Sequence, residues 1–235
     1  MLVHLVLLVL FLVFCACIFV GPSIWFRSIM EQHNRERPEF PGTGADLARH
    51  LLDNLQLEHV KVEMAPTQHG DHYDPRAKVV RLSPDNFNKK SLSGIVVAAH
   101  EVGHAIQDRD GDKRLKARQQ LVVMAIWAQR AGVAISYLSP LTGALVSVRL
   151  MPLQIVLGIL IMGLRVVADL VTLPVEYDAS FNKALVILGA EKIISPEDMP
   201  AARKILTAAA WTYAAGSLRS LVDIFRWYRL FKGRP

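Results

Sequence analysis

The feature that most limits the fold is an almost unbroken apolar run from Leu2 to Phe26, interrupted only by His4 and by a break at 21–23. About 20 apolar residues are enough for a helix to cross the hydrocarbon core of a bilayer. A cleaved signal peptide is the alternative, but no basic segment precedes the run, and the run exceeds the usual apolar core of roughly 7–15 residues. We therefore expect a retained transmembrane helix over residues 1–26.

The stretch from 27 to 120 has the mixed composition of a water-exposed segment. In it, "GTGADLARHLLDNLQL" repeats apolar residues at helical spacing, whereas "HVKVEMA" and "AKVVRLSP" alternate as strands do. A further helix should begin near Ser91 or Ser93, where a hydroxyl can cap free backbone N–H groups, and run to about Gln107. These elements predict a small α+β portion, with a short hairpin or edge strand beside the helix.

A second apolar zone, 121–171, carries few charges. We expect two membrane helices that turn near Arg149–Pro152, and a turn at "SPLTG" (139–143) is the alternative. Arg165 and Asp169 are spaced i,i+4, so they can pair and reduce the cost of charge in lipid.

The remainder of the chain, from 172 to 235, is predicted to be helical as well. "VEYDASFNKALVILG" has helical periodicity, and "SPED" at 195–198 combines a capping Ser, a Pro and acids in the first turn. The last helix should be partly buried or lie at the membrane interface. The sequence thus predicts a mainly α membrane protein with four parts, namely 1–26, 27–120, 121–171 and 172–235.

The net charge of +6 is concentrated near the C-terminal end, in Arg219, Arg226, Arg229, Lys232 and Arg234. Beside so much apolar sequence, these residues favour an anionic membrane surface as partner, and nucleic acid is not expected. Basic residues also follow the first apolar run closely, at Arg27 and Arg35. The positive-inside rule then places 27–120 in the cytoplasm, and two further spans return the chain to the same side at Thr172.

The stretch "AAHEVGHAIQ" contains the pattern H-E-x-x-H from His100 to His104 on the predicted helix. A spacing of four sets both imidazoles on one face, where they can coordinate one Zn²⁺. Glu101 lies beside such a metal and can take a proton from a zinc-activated water. An incidental pattern on a surface helix is the alternative, but the apolar neighbours predict burial, and burying these groups without a metal is costly.

A hydrolytic zinc site needs a third protein ligand. His104 is the last histidine of the chain, so this ligand is a carboxylate or an upstream histidine. Glu176 is the leading candidate, because it opens the first helix after the apolar zone on the same predicted side of the membrane. The other candidates are Asp178, Asp169, His59, His69 and His72.

With these residues in hand, the chain resembles the YugP-type family of bacterial membrane zinc metallopeptidases along nearly its whole length. The resemblance is carried by "GDHYDPRAKVVRLS", "AAHEVGHAIQ" and "TLPVEYDASFNKAL", in that order. It implies a zincin-like catalytic portion with a gluzincin-like site, a location in the bacterial inner membrane, and His100, His104 and Glu176 as ligands with Glu101 as the catalytic carboxylate. The layout is also similar to the HtpX-like membrane proteases. Those place an Asp four residues after the ligand Glu, where this chain has Ser180, so the hydroxyl or another group must orient a histidine.

In zinc peptidases of this kind, an extended edge strand pairs with the substrate backbone. "AKVVRLS" is the candidate strand, and His72 or Tyr73 in the adjoining turn is a candidate for stabilising the oxyanion.

Two functions follow. The first is a membrane-bound endopeptidase that cuts proteins or peptides, including membrane proteins, on the cytoplasmic side. The second is a non-enzymatic membrane scaffold with a structural zinc, closed by a fourth ligand such as His72 or Asp178. A channel or transporter is disfavoured, because intramembrane charges are few and no inverted repeat is seen.

Overall fold

The computed structural model describes residues 2–66, 70–142 and 151–232. Side chains are described for 20–66, 70–128 and 163–218, with a few neighbours. The chain divides into two compact units, the first formed by 1–112 with 174–212 and the second by 113–173 with 213–235. The described elements follow the chain as α1 (Leu2–His33), α2 (Gly44–Asn54), β1 (Lys61–Met64), β2 (His72–Asp74), β3 (Val79–Leu82), α3 (Pro84–Asn88), α4 (Leu92–Arg109), α5 (Lys113–Thr142), α6 (Met151–Tyr177), a π-helical segment (Asp178–Ala184), α7 (Leu185–Ala190) and α8 (Met199–Lys232).

Caps define the starts of two helices in the first unit, and the cap at Ser91 confirms a predicted start. Thr43 accepts a hydrogen bond from the backbone of Asp46, whose carboxylate accepts one from the backbone of Thr43, so α2 begins with a capping box. Ser91 caps α4 by accepting a hydrogen bond from Gly94 N at 3.1 Å. The "SPED" prediction is confirmed only in part, because Ser195 heads a turn and α8 begins at Met199.

The sheet corrects the prediction that "AKVVRLS" forms an edge strand. Among the described residues the order is β1-β3-β2, with β1 parallel and β2 antiparallel to β3. β3 is therefore central, and both rows of its backbone hydrogen bonds are used. The edges are β1 and β2, and β2 lies in the stretch that was predicted to be only a turn.

The core of the first unit forms around α4, which packs against α2 and the π-helical segment. Three of its apolar positions, Val96, Ala99 and Val102, are fully buried. The sheet contributes Val80 and Leu82 to the same cluster. Apolar burial of this kind is worth roughly 25 cal/mol per Å², so it stabilises the helix that carries the H-E-x-x-H pattern.

The predicted membrane-protein fold is wrong for the part of the chain that the structure describes. No helix there is long and apolar enough to cross a membrane. The apolar run at 2–26 lies mostly where side chains are not described.

The predicted pairing of Arg165 with Asp169 is confirmed by a separation of 3.4 Å between Nε and Oδ1. α5 continues through Ser139 to Thr142, so the alternative turn beginning at Ser139 is wrong. The preferred turn falls largely on 143–150, outside the described residues.

Candidate metal centre

Helix α4 presents three chemically active side chains over little more than one turn. His100 and His104 lie i,i+4 on one face, with ring centroids 4.8 Å apart and the rings in a T-shaped arrangement. Glu101 follows His100 directly and is buried, with 5% of its surface exposed. The buried face of α4 therefore brings both imidazoles and a carboxylate into the interior of the first unit.

Glu176 was expected to open a new helix after the apolar zone, but it lies in the last turn of α6, where it completes a cluster with the two histidines. Its Oε2 atom lies 3.2 Å from Nε2 of His100 and 3.5 Å from Nε2 of His104. The residue is only 2% exposed. Burial raises the pKa of this carboxyl, but the charge of His104 and the hydrogen bonds from both imidazoles outweigh burial and hold the pKa well below its usual range.

The spacing of these atoms fits a zinc ion. Zinc binds imidazole nitrogen and carboxylate oxygen at about 2.0–2.2 Å in tetrahedral geometry, which separates neighbouring ligand atoms by about 3.3–3.5 Å. The separations of 3.2 and 3.5 Å between Oε2 of Glu176 and the two Nε2 atoms lie close to that range. Within the described ranges, His100, His104 and Glu176 form the one group of His, Cys, Asp or Glu whose ligand atoms all lie within 4.8 Å of one another.

Each imidazole has a hydrogen-bond partner behind it. Nδ1 of His104 lies 2.9 Å from Oε1 of Gln107, and Nδ1 of His100 lies 3.1 Å from the hydroxyl of Ser180. The hydroxyl at the position of the expected Asp is thus in contact with a histidine. Gln107 was missed as a functional residue, although its i,i+3 spacing from His104 places it on the same helix face.

The rival ligands lie elsewhere. Asp178 accepts hydrogen bonds from Gln107, Asn182 and Lys183. Burial raises the pKa of Asp178, but these donors outweigh it and lower the pKa to about 2. The remaining candidates are placed as follows: Asp169 beside Arg165, His59 exposed, His72 on β2, and His69 outside the described residues.

The two candidate oxyanion stabilisers form hydrogen bonds with residues outside the cluster. The Tyr73 hydroxyl donates to Asp108 at 2.7 Å, and burial and this contact raise the pKa of Tyr73. Nδ1 of His72 lies 2.8 Å from the carbonyl oxygen of Gly70. Their role in catalysis stays a prediction, tested by replacing each with Phe and measuring turnover with zinc retained.

The ligand-bearing elements approach closely at Gly103, inside the H-E-x-x-H pattern. A Cβ atom on Gly103 would lie 2.8 Å from the carbonyl oxygen of Ala179, which is closer than real Cβ contacts allow. Ala179 belongs to the π-helical segment that directly follows Glu176 and Tyr177. π-Helical turns are rare and concentrate at functional sites. Glycine at 103 therefore allows the backbone after Glu176 to pack directly on α4.

Comparison with known proteins agrees with a zinc site formed by His100, His104 and Glu176. Residues 8–232 match the model of a family described as "Putative neutral zinc metallopeptidase". The chain belongs to this family, and the cofactor of the family is Zn²⁺.

Among curated proteins, the chain is 34% identical over 216 residues to "Putative membrane protease YugP" of Bacillus subtilis (strain 168). The similarity covers 90% of this chain and 92% of that protein. No solved structure matches the chain significantly.

Proposed function

We propose that this protein is a zinc-dependent endopeptidase, with His100, His104 and Glu176 as the zinc ligands. The observation that carries the proposal is the convergence of two imidazoles and a buried carboxylate within 4.8 Å of one another. Membership of the metallopeptidase family supports the same reaction class. Two imidazoles and one carboxylate are the ligand set of several hydrolytic zinc enzymes, which keep a fourth position open.

Zinc, when bound, polarises the substrate carbonyl and lowers the pKa of a water molecule toward about 7. In the proposed mechanism, the carboxylate of Glu101 accepts the proton of the attacking water and then delivers it to the amine that leaves. Burial of Glu101 directly after His100 in α4 supports this role. The hydrophobic surroundings strengthen each electrostatic interaction of the site, because the local dielectric constant is low.

A structural zinc in a non-enzymatic scaffold would need a fourth ligand from the chain. Neither of the two residues considered for that position belongs to the cluster, because among the described residues only His100, His104 and Glu176 bring ligand atoms within 4.8 Å of one another. This arrangement favours the peptidase over the scaffold.

The decisive test is Glu101→Gln, with Glu58→Gln as control because Glu58 is exposed. We expect stoichiometric zinc in both variants and the wild type. Cleavage of an unfolded protein such as casein should fall at least about 100-fold in Glu101→Gln, a typical loss for a general base, and stay unchanged in Glu58→Gln. Zinc-loaded wild type that leaves casein intact, or full cleavage by Glu101→Gln, would exclude the proposed mechanism.

We also propose that the enzyme works at the cytoplasmic face of a bacterial membrane, on protein or peptide chains that include membrane proteins. Support for the membrane comes from the Bacillus subtilis relative, which is named a membrane protease. Cell fractionation with a carbonate wash tests the membrane association. Resistance of the protein to external protease in intact spheroplasts tests the side. Recovery in the soluble fraction, or degradation by external protease, would contradict this proposal.

A further inference from the structure

Gln107 is a fully buried polar residue, with no exposed surface, at the centre of the contacts between the ligand-bearing elements. Its side-chain oxygen lies 2.9 Å from Nδ1 of His104. Its amide nitrogen donates to the carbonyl oxygen of Val175 and to Oδ2 of Asp178, both at 2.9 Å. A buried polar group without a hydrogen-bond partner destabilises the fold, and here both the oxygen and the nitrogen of the Gln107 amide have partners.

These contacts fix which way the amide points. The carbonyl of Val175 and the carboxylate of Asp178 can only accept, so the NH₂ group of Gln107 must face them. The oxygen of Gln107 then faces His104, and an amide oxygen can only accept as well. Nδ1 of His104 therefore carries a proton. When the ring is neutral, the free lone pair is on Nε2, the atom that lies 3.5 Å from Glu176.

The other imidazole lacks such a constraint. Nδ1 of His100 faces the hydroxyl of Ser180, and a hydroxyl can donate or accept. The amide of Gln107 also contacts the chain on both sides of the third ligand. It donates hydrogen bonds to the backbone of Val175 and to the side chain of Asp178, which flank Glu176 in the sequence. One side chain thus contacts a histidine of the cluster and both sides of the carboxylate ligand.

We propose that Gln107 is a positioning residue of the metal centre, which holds His104 in the zinc-binding tautomer and fixes Glu176 at its distance from the histidines. The inference rests on the proposed zinc ligands, although it does not depend on peptidase activity. Removing a hydrogen-bond partner of a zinc ligand typically weakens metal binding by about 10–100-fold. We expect a loss in that range when the amide is removed.

The test measures zinc affinity of the full chain by competition with a chromophoric chelator, together with the melting temperature of the zinc-free protein. Gln107→Met keeps the length of the side chain and removes all three hydrogen bonds. Ile95→Ala is the matched control, because Ile95 is buried in the same helix more than one turn before His100, and its truncation leaves a cavity there. We expect a rise in the zinc Kd of about 10–100-fold for Gln107→Met and less than about 3-fold for Ile95→Ala at a similar loss of melting temperature.

A pair of substitutions that exchanges the hydrogen-bond donor and acceptor between positions 107 and 178 distinguishes a positioning role of Gln107 from a packing role. Gln107→Glu keeps an acceptor for His104 but sets two carboxylates against each other, so we expect weak zinc binding. Adding Asp178→Asn supplies an NH₂ group to the new carboxylate, and the double variant should recover at least about 10-fold of the lost affinity. This arm also applies if Gln107→Met fails to fold.

Wild-type zinc affinity in Gln107→Met, a loss equal to that of Ile95→Ala, or no recovery in the double variant would overturn the inference. Failure of the proposed function has a different signature, namely zinc-loaded wild type without cleavage while Gln107→Met still loses zinc affinity.

Discussion

At the scale of single residues, the centre depends on a carboxylate that lies buried between two imidazoles. Glu176 has 2% of its surface exposed, and both histidine Nε2 atoms lie within 3.5 Å of its Oε2. Burying an ionised carboxylate is costly unless opposite charges or donors surround it. The pairing therefore makes sense for a group that acts as a ligand, and it is less expected for an incidental helix residue.

The first prediction is that Glu176→Gln loses zinc. The amide keeps the shape of the side chain but removes the negative charge that a cation requires. Loss of a group that only supports a ligand costs about 10–100-fold, so loss of the ligand should raise the zinc Kd at least about 100-fold. Competition with a chromophoric chelator measures this zinc Kd. Asp169→Asn is the control, since Asp169 was a rival candidate and lies beside Arg165. Zinc loss in the control with retention in Glu176→Gln would reverse the assignment.

At the scale of elements, a glycine determines how closely α4 and the π-helical segment approach. The ideal Cβ on Gly103 would lie 2.8 Å from the carbonyl oxygen of Ala179, a rigid backbone atom that cannot turn away. The π-helical segment is continuous with the helix that carries Glu176, so a shift of this contact would move a proposed ligand.

The second prediction is that Gly103→Ala destabilises the protein by about 1–3 kcal/mol, because an added methyl group in a packed contact forces the backbone to move. Gly163→Ala is the matched control, since Gly163 is also helical and a Cβ there would meet nothing within 4 Å. The free energy of unfolding of the control should rise by up to about 1 kcal/mol, because Ala has a higher helix propensity than Gly. Urea unfolding of both variants gives the comparison. Equal gains in the two variants would show that the contact at Gly103 is not restrictive.

Some of the helices and strands around the site could be predicted from the sequence, and others could not. Periodicity and a capping Ser located α4, and the spacing of His100 and His104 placed both on one face. Glu176 was the leading candidate from its position after the apolar zone, but Asp178 and Asp169 stayed open as rivals, and the tertiary contacts with α4 are what select Glu176. The strand β2 was missed, since three residues among turn formers give no alternating pattern. The central position of β3 left a signal, because Val79, Val80 and Leu82 are buried on both faces of the strand.

At the scale of the first unit as a whole, one ion pair joins residues 161 apart in the sequence. Arg37, after α1, donates two hydrogen bonds to Asp198, just before α8, at 2.7 and 2.9 Å. The guanidinium of Arg37 also lies over the ring of Phe40, 4.7 Å from its centroid. The hydrogen bonds from Arg37 hold the pKa of Asp198 below its usual value, although burial acts to raise it.

The third prediction concerns pH. Because the pKa of Asp198 is lower in the folded than in the unfolded chain, the pair stabilises the fold above the unfolded value of about 3.9 and is lost as the pH falls through the folded value. Asp198→Asn should therefore cost about 1 kcal/mol at pH 7, as expected for a bidentate, partly buried pair. The difference in unfolding free energy between wild type and variant should shrink below about pH 4.

Urea unfolding between pH 7 and pH 3 measures this difference, and Glu39→Gln is its control. Glu39 contacts the same guanidinium at 2.6 Å, but its side chain is 58% exposed, against 15% for Asp198. Solvent screens exposed charges, so the control should change stability less at every pH. A difference for Asp198→Asn that stays constant from pH 7 to pH 3 would mean that the amide disturbs packing rather than charge. The charge of the Arg37–Asp198 pair would then not contribute to the stability of the contact between these two segments.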